Sequence, residues 1–162
     1  MIDPAWLLSQ QKVQFIHDEK YHQDIFCLPR NDRLKHYGLH YAKYCGRFAR
    51  DGFEHGLTKT VSDFFLVALS AANALSDNLL NSGIEIKALP QSAAFLPLCD
   101  ATGRFADACE KIDHAERFID IAVPANRDII SALGGLASAE KLELEELLNS
   151  RRSELRLRAF YR

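Results

Sequence analysis

The chain has 162 residues, enough for one domain with its own core, and its 20 basic and 22 acidic residues leave a net charge of −2. Hydrophobic residues make up 48% and charged residues 26%, ordinary values for a folded domain, so bulk composition draws neither nucleic acid nor an anionic membrane and any anion binding has to be local. Cys27, Cys45, Cys99 and Cys109 form no C-x-x-C pair and read as reduced thiols; with no basic-then-apolar leader and no apolar run of the roughly 18 residues a span needs, the expected setting is cytoplasmic and away from membranes.

Strict period-two alternation is nearly absent, so the pattern predicts an all-α protein. The expected architecture is a helical bundle of about four core helices with additional N- and C-terminal helices. It forms a single domain over 1–162, with a core at about 32–122 and a C-terminal helical extension at about 125–160.

Asp3 as N-cap and Pro4 at the first helical position start a helix predicted to run to about His17. The following stretch, HDEKYHQDIFCLPRN, is expected to be irregular, because Pro29 disfavours helix at Leu28 and its polar and aromatic residues share no period. A second helix starts at Asn31 or Asp32 and stops near Asp51-Gly52. The third, capped by Thr58 or Thr60 and ended by Gly83, is apolar nearly all round and belongs at the centre of the bundle.

A linker containing Pro90 and Pro97 precedes a fourth helix that Pro124 ends. A fifth runs from about Ala125 to Leu133 and stops at Gly134-Gly135. The last opens at Ser138, acidic in its first half and basic in its second, which suits the helix dipole. Its leucines, among them Leu144, Leu148 and Leu157, occupy more than one stripe, so it is expected to pack on two neighbours, within its own subunit or between subunits of an expected homo-oligomer.

The stretch RLKHYGLHYAKYCGRFARDG raises the functional question. His36, His40, Lys43 and Arg47 recur at helical steps and form one line about three turns long, with Tyr37, Tyr41 and Tyr44 on a neighbouring line. In the next helix Asp63 falls among apolar residues. A buried carboxylate without a partner is costly, so it should face a cation, and Lys43 and Arg47 are the candidates.

HYGLHYAKYCGRFA resembles the first motif helix of the all-α NTP pyrophosphohydrolases, the MazG-like superfamily, and TVSDFFLVALSAANALSDNL resembles the second, of the form E-x-x-D followed by a long apolar stretch. The resemblance spans roughly residues 33 to 82. It implies an oligomeric helical bundle that holds Mg²⁺ on four acidic side chains and hydrolyses nucleoside triphosphates to monophosphate and pyrophosphate. Position by position, Lys43 and Tyr44 stand where the paired glutamates would be, Arg47 where the third would be and Thr60 at the glutamate of the second motif. Asp63 alone remains. Mg²⁺ is held through carboxylate oxygens and waters, and Lys and Arg offer no lone pair, so a divergent member without the usual Mg site and with no cofactor is expected.

Other clusters carry weaker signals. His36 and His40 have the i, i+4 spacing that lets two imidazoles share a metal, but no glutamate is built in and the pair reads first as packing or rim histidines. Glu110 and Asp113 repeat the E-x-x-D spacing and, with Asp63, make an alternative oxygen-rich Mg²⁺ set; interleaved with Lys111 and Arg117, they read first as a solvated face. HDEKYHQD reads as a mixed-charge surface loop able to lie over a pocket mouth, with the His17-Asp18 pair carrying little by itself. The basic RRSELRLRAFYR reads as favouring the helix dipole and solvating the end rather than as a nucleic-acid contact. No phosphate-loop, dinucleotide or nucleophile-elbow motif occurs.

The function expected is binding of a nucleotide or another phosphorylated small molecule. Lys43 and Arg47 would meet phosphate, Asp63 would orient them, His36, His40 and Tyr44 would line the same site, and one of Tyr37, Tyr41 or Tyr44 would stack on a base. Two alternatives are an active pyrophosphohydrolase with metal on Asp63, Glu110 and Asp113, and a non-catalytic structural or regulatory oligomer.

Overall fold

A computed structural model describes residues 2–50 and 56–157. Among them are seven helices: α1 Pro4–Tyr21, α2 Gln23–Phe26, α3 Arg30–Ala49, α4 Leu57–Leu75, α5 Gln91–Asp113, α6 Ile119–Ala139 and α7 Leu144–Leu157. A 3₁₀ turn lies at Leu79–Asn81, and the described residues contain no strand. The all-α bundle follows the sequence pattern. No helix among the described residues is long and apolar enough to cross a membrane, and all four cysteines are free thiols.

Helix α4 is the centre, as its all-round apolar sequence predicts, and packs against α1, α3, α6 and α7. Phe64, Phe65, Ala68, Leu69, Ala71 and Ala72 are wholly buried on it. Each large apolar side chain buried in this way stabilises the bundle by about 1.5–3 kcal/mol. Helices α5 and α6 pair closely, α5 closes on α3, and α7 lies across α4 and α1.

The start of α1 is as predicted: the Asp3 carboxylate accepts from the Trp6 amide at 2.8 Å, with Pro4 opening the helix. Its end is not. The helix runs four residues past His17 to Tyr21, and α2 follows within the stretch expected to be irregular. The reason is an inverted face. Gln10, Gln11, Gln14, His17 and Asp18 are buried, whereas Val13, Phe15 and Ile16 are exposed, so the inner stripe of α1 is polar and invisible to apolar periodicity.

Three further boundaries differ for one shared reason. α4, α5 and α6 end at non-glycine residues in the left-handed region, Ser76 (φ 57°), Ala115 (φ 56°) and Lys141 (φ 53°). Each end is closed by an amide that reaches back five residues: Asp77 to the Ala72 carbonyl at 2.9 Å, Glu116 to Lys111 at 3.0 Å and Leu142 to Ala137 at 2.8 Å. The helices therefore stop before or beyond Gly83, Pro124 and Gly134. Pro97 and Pro124 lie inside α5 and α6, near their N-terminal ends, and each forfeits a helical hydrogen bond there.

Gly134 and Gly135 interrupt nothing in α6. They let the segment before α5 cross the helix at close range: the Leu89 amide donates to the Gly135 carbonyl at 2.9 Å, and a Cβ on Gly135 would collide with the Lys87 carbonyl oxygen. Ser138, expected as the cap of the last helix, is inside α6, and the expected division between core and extension at 122–125 also falls within that helix. The last residues of the predicted final helix, 158–162, and the stop expected near Asp51-Gly52 lie outside the described residues.

Candidate functional site

A cavity of about 270 Å³ opens between α1, α2, α3, α4 and α7. Helix α3 contributes His36, Tyr37, His40, Lys43, Tyr44 and Arg47, the helical line read from the sequence. Helix α4 adds Asp63, Leu66, Val67 and Ser70; α1 adds Gln14 and Asp18; α7 adds Arg151 and Leu155. His22, Ile25 and Phe26 complete the wall. All six residues singled out as ligand-binding, Lys43, Arg47, Asp63, His36, His40 and Tyr44, are brought to this one cavity.

One end is cationic. Asp63 is buried and lies between two guanidiniums, Arg47 Nη1 at 3.2 Å from Oδ2 and Arg151 Nε at 2.5 Å from Oδ1. Arg151 also donates to Glu154 at 2.6 Å. Lys43 forms no ion pair among the described residues; its ammonium stands 4.8 Å from the centre of the Tyr44 ring, and Arg47 stands 5.2 Å from the same ring. Burial, and then the like charge of Arg47, push the Lys43 pKa down. Lys43, Arg47 and Arg151 thus gather at the Asp63 end of the cavity, where the carboxylates beside them are Asp63 and Arg151's second partner, Glu154.

The histidines beside these cations are held neutral. Burial, then Lys43 and His36, take His40 down to about 4, and His36 is lowered by burial and Lys43. Their rings stand 4.5 Å apart, and His40 Nδ1 meets the Tyr44 hydroxyl at 3.2 Å. Burial followed by the nearby Asp63 raises the Tyr44 phenol, so it stays protonated.

The opposite end is built on a second buried carboxylate, which no lysine or arginine among the described residues bonds. Asp18 Oδ1 accepts from Gln14 Nε2 at 2.8 Å and meets His22 Nδ1 at 3.1 Å; Oδ2 accepts from the Ser70 hydroxyl at 2.5 Å. Burial pushes this carboxyl upward, but His17, His22 and Ser70 beside it outweigh that and hold it below its ordinary 3.8. Arg152, also buried, spends its guanidinium on the side-chain oxygens of Gln14, Gln10 and Asn149 and on the Gln10 carbonyl. Burial lowers it to about 10.

Several residues fall elsewhere. Tyr41 is wholly buried, its hydroxyl donating to Asn126 and its ring packed on Phe64 and Phe105, so it lines no part of the cavity and offers no stacking face. Glu110 pairs with the exposed His114 and Asp113 with Lys35; neither lines the cavity with Asp63. The Mg²⁺ set implied by the resemblance does not fit either: at those positions stand an ammonium, a phenol, a guanidinium and a threonine, and the remaining carboxylate is saturated by two arginines.

Four residues take other places than the sequence reading gave them. His17 and Asp18 are buried wall and framework rather than surface loop, and Arg151 and Arg152 are buried rather than solvating a helix end. The signal for the arginines was present: Leu144, Leu148, Arg151, Arg152 and Leu155 fall on one helical stripe, so the guanidiniums had to point inward with the leucines. No family model matches the chain, and no curated protein or solved structure matches it either.

Proposed function

We propose that the cavity binds a small phosphorylated molecule, with Lys43 and Arg47 on the phosphate and no metal at that end, in a divergent relative of the MazG-like bundles. The observation that carries this reading is the charge imbalance at that end: Lys43, Arg47 and Arg151 stand against Asp63 and Glu154, and Lys43 has no ion-pair partner among the described residues. A phosphate dianion offers Lys43 a counter-charge against the burial, and then the like charge of Arg47, that depress it, and the flat fork of Arg47 suits two phosphate oxygens.

Size and lining narrow the ligand. At about 270 Å³ the cavity is near the lower limit for small-molecule sites, which favours one phosphate on a body of nucleoside size or smaller. Ile25, Phe26, Leu66, Val67 and Leu155 supply an apolar wall for that body. At neutral pH the uncharged His36 and His40 serve as hydrogen-bonding groups rather than as additional cations.

A thermal-shift series with inorganic phosphate and nucleoside mono-, di- and triphosphates, in EDTA and in Mg²⁺, tests this. Monophosphates are expected to raise Tm in EDTA, and Lys43→Ala to weaken their binding about tenfold or more, the loss of one charge-assisted contact. Shifts that require Mg²⁺ would favour a metal-dependent hydrolase. Absence of any shift would leave Arg47, Asp63 and Arg151 as a clamp joining α3, α4 and α7, and would favour the structural or regulatory oligomer, read out as a Tm that falls on dilution.

A further inference from the structure

We propose that His17, Asp18 and His22, at the end of the cavity away from Lys43, form a binding site for a divalent transition-metal ion of the zinc type. The inference is independent of phosphate binding, because it rests on different residues and on a different unsatisfied group.

The geometry is that of a set of three nitrogen and oxygen donors. One ligand atom from each residue lies within 4.8 Å of the others. His22 Nδ1 stands 3.1 Å and His17 Nδ1 3.9 Å from Asp18 Oδ1. Donors about 2.1 Å from a tetrahedral ion are about 3.4 Å from one another, so these separations bracket what an ion needs. His22, at the junction of α1 and α2 and one-third exposed, is the member free to adjust.

The independent observation is a buried ring nitrogen without a partner. His17 is 6% exposed, and its Nε2 lies 3.1 Å from the Arg152 backbone carbonyl, an acceptor that obliges this nitrogen to carry the proton. Nδ1 is then the ring nitrogen left over, and it has no hydrogen-bond partner. Asp18 Oδ1, 3.9 Å away, lies beyond hydrogen-bond reach of it. Leaving a buried polar atom unmet is unfavourable, and a metal-ligating histidine is characteristically oriented by donating its other N–H to a backbone carbonyl.

The surroundings support the same assignment. Gln14 and Ser70 fix the Asp18 carboxylate from outside the donor set, as a second shell does. Arg152 is the nearby like charge, but its guanidinium is turned to neutral oxygens. Two imidazoles and one carboxylate favour zinc, cobalt or a related ion over Mg²⁺, which prefers an oxygen shell. Asp18 and His22 also line the cavity, so a fourth coordination position opens onto it and is available to water or to a donor atom of a bound molecule.

Titrating EDTA-stripped, dialysed protein with Co²⁺ reads the site directly, because a four- or five-coordinate cobalt ion absorbs in the visible. Expected are bands that saturate at one equivalent, are displaced by Zn²⁺, and weaken at least about tenfold in apparent affinity in His17→Gln and His22→Gln, while His114→Gln, at an exposed pair elsewhere, is unchanged. If His17→Gln fails to fold by circular dichroism, the partly exposed His22→Gln decides alone. Absence of bands at one equivalent, bands unaffected by His22→Gln, or bands lost in His114→Gln each overturns the proposal. Phosphate shifts in EDTA, measured on the same protein, report the other end separately.

Discussion

The two ends of the cavity solve the same problem in opposite ways. Each contains a buried aspartate, Asp63 at one end and Asp18 at the other. Asp63 is met by two full charges, with Lys43 alongside, so its end is positive overall. Asp18 is met by an amide, a hydroxyl and imidazoles and so remains the dominant charge at its end. A carboxylate's surroundings, rather than its presence, decide whether a site attracts anions or cations.

The largest expected effect separates the ends by what happens when a cation is removed. Arg151→Met leaves a buried charge half-compensated and should cost about 3 kcal/mol or more in urea denaturation, whereas replacing the whole triad, Arg47→Met and Asp63→Leu combined with Arg151→Met, should recover most of it. If the triple variant stays as unstable as the single, Asp63 is not the reason Arg151 is buried. At the other end, Ser70→Ala removes a neutral donor from Asp18 and should cost about 1–3 kcal/mol by the same measurement.

The ends should also titrate in different windows. His40 is neutral when folded down to about pH 4, whereas the unfolded chain takes up a proton near 6.5. Between those values the unfolded state binds more protons, so stability falls as the pH drops. Because His40 is partly exposed, we expect about 1–2 kcal/mol between pH 7 and 4.5, a loss that His40→Gln should reduce. Asp18 has a lowered pKa, so its contribution is intact through that window and is lost only below its ordinary 3.8. A stability profile flat to pH 4.5 in wild type would remove the cationic end's claim to a buried neutral histidine.

The smallest effect concerns the helix end that leads away from the cationic wall. Ser76 adopts φ 57° without the freedom of glycine, and Ser76→Gly is expected to raise stability by about 0.5–1 kcal/mol, detected as a higher urea midpoint. No comparable gain is expected at Gly135, where the Lys87 carbonyl leaves no room for a side chain.

How much was legible follows the same contrast. The cationic end was readable because α3 spaces His36, His40, Lys43 and Arg47 regularly and because Asp63 interrupts an apolar helix. Helix α4 was readable as the centre for the same reason: its burial is written in hydrophobicity. The Asp18 end was not, since α1 turns glutamines, a histidine and an aspartate inward and phenylalanine and isoleucine outward. That inversion becomes favourable only when Arg152 and Asp77, distant in sequence, are present to bond those side chains. The helix ends were misplaced because Gly and Pro were taken as the stops, while the chain stops at Ser76, Ala115 and Lys141 through backbone bonds that leave no compositional mark.

Arg151 and Arg152 are neighbours on α7, yet one bonds Asp63 and the other Gln10 and Gln14. Helix α7 is therefore a two-sided fastener: two adjacent positions of one short helix tie α4 and α1 to the same stretch of chain, so a shift of α7 along its axis would loosen both ends of the cavity together.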